Sequence, residues 1–84
     1  MNQKGTTKDE SFLVKLHEKA TAMGGPFEQV DKYAIGKAIG QNDKGINAIT
    51  NLLAQANFIK KGEGNAVYLT PHGLNLVERL LAER

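Results

Sequence analysis

The feature that most constrains this chain is a three-residue break, Gly40-Gln41-Asn42, between two short stretches of helical periodicity. Three residues span at most roughly 10 Å. Two short helices joined by so tight a turn are neighbours in space and form a helix-turn-helix pair. After the break, Asp43 to Ala56 carries the sharpest pattern in the chain. At roughly 100° per residue, Ile46, Ile49, Leu52, Leu53 and Ala56 fall on one face. Lys44, Asn47, Ala48, Asn51 and Gln55 fall in a narrow arc opposite, which holds amides, one lysine and one alanine but no acid. A face that served solubility alone would more often mix Glu with Lys; this one is suited to hydrogen bonding. Asn42 or Asp43 can cap the start, and Asn57, which tolerates the left-handed conformation, ends it. Before the break, Asp31 is the expected cap of a shorter helix from Lys32 to Ile39. Ile35, Ala38 and Ile39 should face inward there, Ala34 should fill a close contact, and the Gly36-x-x-x-Gly40 spacing reads as close packing.

The rest of the chain divides at equally local signals. Thr7 and Glu10 have the capping-box spacing, which predicts a first helix over Lys8 to Met23 with Phe12, Leu13, Leu16, Ala20 and Met23 as its core stripe. Residues 1–7 are expected to be a loose tail. Gly24-Gly25-Pro26 stops the helix, and Phe27 to Val30 is at most a short extended piece. Phe58-Ile59-Lys60-Lys61, the turn Gly62-Glu63-Gly64-Asn65 and Ala66-Val67-Tyr68-Leu69 read as strand, turn, strand over 58–69. Thr70-Pro71 opens a last helix, with Thr as cap and Pro where its missing donor costs nothing. Leu74, Leu76, Val77, Leu80 and Leu81 give that helix a wide apolar arc. The expected fold class is mainly α with a small β-hairpin (α+β), in the order α, short β, α, α, β, β, α, as a single domain over 8–84.

Size and composition narrow the function. A chain of 84 residues buries only about 60–65% of the surface its unfolded form exposes, so it supports one core and one working surface. With no cysteine, thiol catalysis, disulfides and cysteine-held zinc are excluded. The N-terminal stretch has no signal-like apolar core, and no apolar run approaches the roughly 18–20 residues of a membrane span, so a cytoplasmic location is expected. His17 and His72 lie far apart, and no metal or cofactor is expected. Ser11 is the only serine and sits within the first helix; Asp9, Glu10, Glu28 and Asp31 read as helix-start carboxylates. Nothing assembles a catalytic site, and the chain is not expected to be an enzyme. The net charge of +2 hides an asymmetry: residues 32–61 hold five lysines against one acid, a net +4, while the remainder is acidic by two. A basic middle hints at an anionic partner.

The stretch AIGKAIGQNDKGINAITNLLAQANFIKKGEGNAVYLTPHG resembles the winged helix-turn-helix of bacterial and archaeal transcription regulators, and YLTPHGLNLVERLLAE is similar to the closing segment of the MarR-like group. The likeness covers about residues 28–84. Ile39-Gly40 matches the close of the motif's first helix, and Ile46, Ile49 and Leu53 match the core of its recognition helix. Phe58-Ile59 matches the pair opening the wing, and Leu69-Thr70-Pro71-x-Gly73 the strand-to-helix corner. Asn57 stands where Gly is usual, Gly45 where Ser or Thr is common, and Glu63 at the wing tip; no arginine precedes Arg79.

The resemblance implies double-stranded DNA as partner, with the third helix in the major groove and the 58–69 hairpin on the backbone. Asn47 and Asn51 would then read adenine, Lys44 would reach a phosphate or guanine, and Ala48 would touch a thymine methyl. Gln41, Asn42 and Gly45 would lie at the helix N-terminus near a phosphate, and Lys60, Lys61 and Asn65 on the flanking backbone. The expected function is a small transcriptional regulator. The alternative is a protein-interaction module of the same fold; the apolar arc of the last helix also suggests a homodimer through the first and last helices. Single-stranded or RNA binding would need exposed aromatics, whereas Phe12, Phe27, Phe58, Tyr33 and Tyr68 read mostly as core or strand residues.

Overall fold

The computed structural model describes residues 7–83; the expected tail lies outside the described residues except for Thr7, which belongs to the first helix as its cap. Helix α1 (Lys8–Met23) begins at the expected capping box: Glu10 N donates to the Thr7 hydroxyl at 3.1 Å, and Thr7 N donates to the Glu10 carboxylate at 3.2 Å. Phe12, Leu13, Leu16 and Ala20 are buried. Met23, expected in the same stripe, is 59% exposed, because the chain turns away at once through Gly24 at φ 148°.

Strand β1 (Val30–Asp31) leads into α2 (Lys32–Ala38), with the Asp31 side chain accepting from Tyr33 N at 2.8 Å as the N-cap. Gly40 takes φ 81°. Gly40 N donates to Lys37 O at 3.1 Å and Gln41 N to Gly36 O at 2.9 Å. This is the paired arrangement that closes a helix over a left-handed residue, and it leaves Ile39 just outside the helix it was expected to end. Helix α3 (Asp43–Gln55) closes in the same way on Asn57, a non-glycine at φ 67°: Asn57 N donates to Ala54 O and Phe58 N to Leu53 O, both at 3.0 Å.

Strands β2 (Ile59–Lys61) and β3 (Ala66–Leu69) form the hairpin, and β3 lies in the middle of a three-stranded antiparallel sheet ordered β1-β3-β2. The register pairs Ile59 with Leu69, Lys60 with Tyr68, and Val30 with Val67. Ile59, Leu69, Val30 and Val67 turn inward, and the period of two sends Lys60, Tyr68, Ala66 and Asp31 to the outer face. Thus the short extended piece expected at 27–30 is reduced to a two-residue strand that shares only Val30 with it, and this strand widens the hairpin into a sheet. Helix α4 (Pro71–Ala82) follows. Among the described residues the architecture is four helices and one small antiparallel sheet, an α+β fold in the expected element order.

A single core joins Phe12, Leu13, Leu16, Ile35, Ile46, Ile49, Leu53, Ile59, Val67, Leu69 and Val77. Helix α1 crosses it and packs on α4, α2 and β3. The apolar arc of α4 is used within the chain: Val77 is buried, and Leu74, Leu76 and Leu81 rest against the core half-buried. The surface expected for a homodimer is therefore partly occupied by the chain itself. Helices α2 and α3 meet at Gly36, where a Cβ would overlap the Ile46 side chain. This contact corrects the expected inner face of α2. The approach of α3 turns the Gly36 side of α2 inward, so Ile35 and Gly36 are buried while Ala34 and Ala38 are exposed.

Thr70 ties three elements together. Its hydroxyl accepts from Gly73 N at 2.9 Å as the cap of α4 and donates to Asn57 O at 2.6 Å, with Phe58 O at 3.2 Å. The residue is buried, so removing the hydroxyl strands a buried donor. Thr70→Val is expected to cost about 2 kcal/mol in urea unfolding and Thr70→Ser under about 1 kcal/mol. A larger loss in Thr70→Ser than in Thr70→Val, which keeps the methyl group, would show that the methyl group and not the hydroxyl holds the corner.

Candidate nucleic-acid interface

The start of α3 is built by Gln41, Asn42 and Gly45, which precede its first buried side chain, Ile46. Asn42 is the cap: its Oδ1 accepts from Gly45 N at 2.8 Å. Gly45 makes room for Gln41, whose Oε1 lies 2.7 Å from where a Gly45 Cβ would stand. Gln41, Asn42 and Gly45 are thus drawn into one local structure, and the Gly45 amide, at the helix N-terminus expected near a phosphate, is donated to the Asn42 cap.

Beyond that first turn the helix divides more sharply than the periodicity suggests. Ile46, Ile49, Thr50 and Leu53 are buried. Thr50 was not expected in the core. Its hydroxyl is satisfied by donating to Asn47 O at 3.1 Å, so it packs there as a small residue. Its inclusion rotates the buried face and corrects two expected core positions: Leu52 is 56% exposed and Ala56 is exposed. Asn47 moves the opposite way. It is half-buried, and its Oδ1 accepts from the Tyr33 hydroxyl at 3.3 Å. Tyr33 in turn lies under the Lys32 ammonium, 5.3 Å from the ring centroid, so the start of α2 braces the middle of α3.

The outward face then consists of Lys44, Ala48, Asn51, Leu52, Gln55 and Ala56, all exposed. Among the described residues the amides of Asn51 and Gln55 have no hydrogen-bond partner, so both edges are open. Asp43 is exposed in the first turn, where its charge favours the helix N-terminus. Leu52, Gln55 and Ala56 are the positions of this outward face missing from the expected site. Gln55 was visible in the polar arc, whereas no local signal separates Leu52 from a core leucine.

The hairpin presents a second polar group. Lys60, Lys61 and Asn65 are exposed, and β2 packs against α3. The turn is held in place: Gln29 Oε1 accepts from Glu63 N at 3.0 Å, Gly62 N donates to Ala66 O at 2.8 Å, and Lys32 N donates to Asn65 O at 2.9 Å. Gln29 carries no sequence signal for this role, which depends on β1 joining the sheet. Lys37, Lys44, Lys60 and Lys61 are exposed, and among the described residues none of them is in an ion pair. Their charge is therefore not neutralised within the chain, and helix and hairpin can both face a polyanion.

Other surfaces offer less chemistry. On the outer side of the sheet a shallow, mostly apolar groove of about 370 Å³ is lined by Phe27, Lys60, Tyr68, Leu69, Thr70 and Pro71. Phe27, expected in the core or a strand, is 45% exposed. His72 stacks on Phe58 with ring centroids 4.6 Å apart. Among the described residues no group of three or more His, Asp or Glu side chains is placed to hold a metal, and no helix is long and apolar enough to cross a membrane. No protein family, curated protein or solved structure matches this chain.

Proposed function

We propose that this chain is a winged helix-turn-helix domain that binds double-stranded DNA, as a small transcriptional regulator, with α3 in the major groove and the β2–β3 hairpin on the flanking backbone. The observation that carries the reading is the outward face of α3: beyond Asp43 it has no acid, it holds two amides without partners, and it is flanked by lysines outside any ion pair among the described residues. An α-helix fits the major groove, and amides and lysines are the groups that bond base edges and phosphates there. The α2–α3 pair supports the same reading, because the two helices meet at Gly36 and α2 braces α3 through Tyr33.

Binding of this kind is dominated by counterion release, so affinity for duplex DNA is expected to fall with salt at a log–log slope of about −0.9 per phosphate neutralised. Lys60→Ala and Lys61→Ala should each weaken every sequence alike and flatten that slope by about one phosphate. Selection from a random duplex library at low salt, followed by salt titration of the winners, measures both. Failure to bind any duplex at low salt would remove the proposal.

A protein-docking module is the second reading, favoured by one observation: Phe27 is exposed beside the groove on the outer face of the sheet. Phe27→Ser discriminates between the two. It should leave duplex affinity unchanged if α3 is the working surface.

A further inference from the structure

Two ridges run side by side along the exposed part of α3. At i, i+4 spacing Asn47, Asn51 and Gln55 form a line of amides, and Ala48, Leu52 and Ala56 form a line of apolar side chains beside it. The first line is braced at one end by the Tyr33 hydroxyl on Asn47, which leaves Asn51 and Gln55 open. The second is unusual for a solvent face, because Leu52 is 56% exposed at its centre.

Base pairs differ in what they offer such a surface. In the major groove adenine presents the N7 acceptor and N6 donor, a match for one amide side chain, and thymine presents a C5 methyl. A G·C pair offers no methyl, and its strongest reader, arginine, is absent before Arg79.

Resting on the duplex-binding reading above, we infer that the paired amide and apolar ridges of α3 select A·T base pairs through the major groove, with Asn51 bonding adenine and Leu52 packing on the thymine methyl. Leu52 is then a specificity-determining residue rather than a core leucine. Its exposure also makes it separable from folding, since its removal opens no cavity. The lysines set affinity without regard to sequence, and the two ridges set the preference.

The test uses the full chain and equal-length DNA duplexes of three kinds: mixed-order A·T, G·C, and the A·T duplex with every thymine replaced by uracil. Uracil removes the C5 methyl and leaves the hydrogen-bonding edge intact. The expected result is A·T binding tighter than G·C on the order of ten-fold, and a loss of about four-fold for each methyl contacted when uracil replaces thymine. Leu52→Ala should bind thymine and uracil duplexes alike while keeping its circular dichroism, and Asn51→Ala should narrow the gap between A·T and G·C. Equal affinity for A·T and G·C overturns the inference and leaves duplex binding standing. So does an A·T preference indifferent both to uracil and to Asn51→Ala, which marks readout of minor-groove shape instead; indifference to uracil alone overturns the role given to Leu52. Absence of binding to all three duplexes overturns the duplex-binding reading itself.

Discussion

Gly73→Ala is expected to destabilise the domain by about 3 kcal/mol, although alanine is the better helix former. A Cβ at Gly73 would overlap the Phe58 carbonyl oxygen. A flexible side chain could move aside; a backbone carbonyl cannot. The same oxygen also accepts from Thr70 N at 3.0 Å. To admit the methyl group, the first turn of α4 must lift away from the start of β2, loosening the Thr70 hydrogen bonds that join α3, the sheet and α4. The gain in helix propensity returns only about 1 kcal/mol. Against a total stability of about 4–13 kcal/mol for 84 residues, the net loss is about a quarter or more, and at the low end of that range it leaves only about 1 kcal/mol. Urea unfolding followed by circular dichroism measures it as a lower midpoint at unchanged slope. A midpoint like that of the unsubstituted chain would show that α4 is not seated against the Phe58 carbonyl.

The second large effect lies between α2 and α3 and is a matter of coupling. Gly36→Ala places a methyl group on the Ile46 side chain, and overpacking of a buried contact costs about 1–3 kcal/mol. Ile46→Ala alone removes a fully buried side chain and costs about 2–5 kcal/mol. The double variant should cost less than the two together by at least about 1 kcal/mol, because the new methyl enters the space that isoleucine vacates. Additive losses would mean the helices are not held in contact at this point. The coupling also bears on the proposed function, because the same contact seats α3 against α2.

What the sequence reveals and what it conceals follow from the range of the forces involved. Helix ends at Gly40 and Asn57, the Thr7–Glu10 box and the Thr70-Pro71 corner were all legible, because each depends on one residue's backbone freedom or on hydrogen bonds three or four residues away. The rotation of each helix about its axis was not. It depends on which neighbour approaches: Gly36 admits Ile46 and turns Ala34 and Ala38 outward, and Thr50 enters the core on a bond to its own helix and turns Leu52 outward. Polarity-based periodicity counts Thr50 as outside and Leu52 as inside, and reverses both. For the candidate site, the exposed Lys44, Ala48 and Asn51 and the hairpin residues Lys60, Lys61 and Asn65 were legible from charge and spacing. The Tyr33 brace on Asn47 and the Gln29 tie to the hairpin turn were not, since the pairs stand 14 and 34 residues apart.

The central claim, that α3 and the hairpin form the surface that meets duplex DNA, is tested most directly by following backbone amide resonances of the full chain during titration with a duplex at low salt. The account predicts shifts concentrated at Lys44, Ala48, Asn51, Leu52 and Gln55 on α3 and at Lys60, Lys61 and Asn65 on the hairpin, with α1 and the outward side of α4 unmoved. Shifts confined to α1 and α4, or none at any concentration, would contradict it.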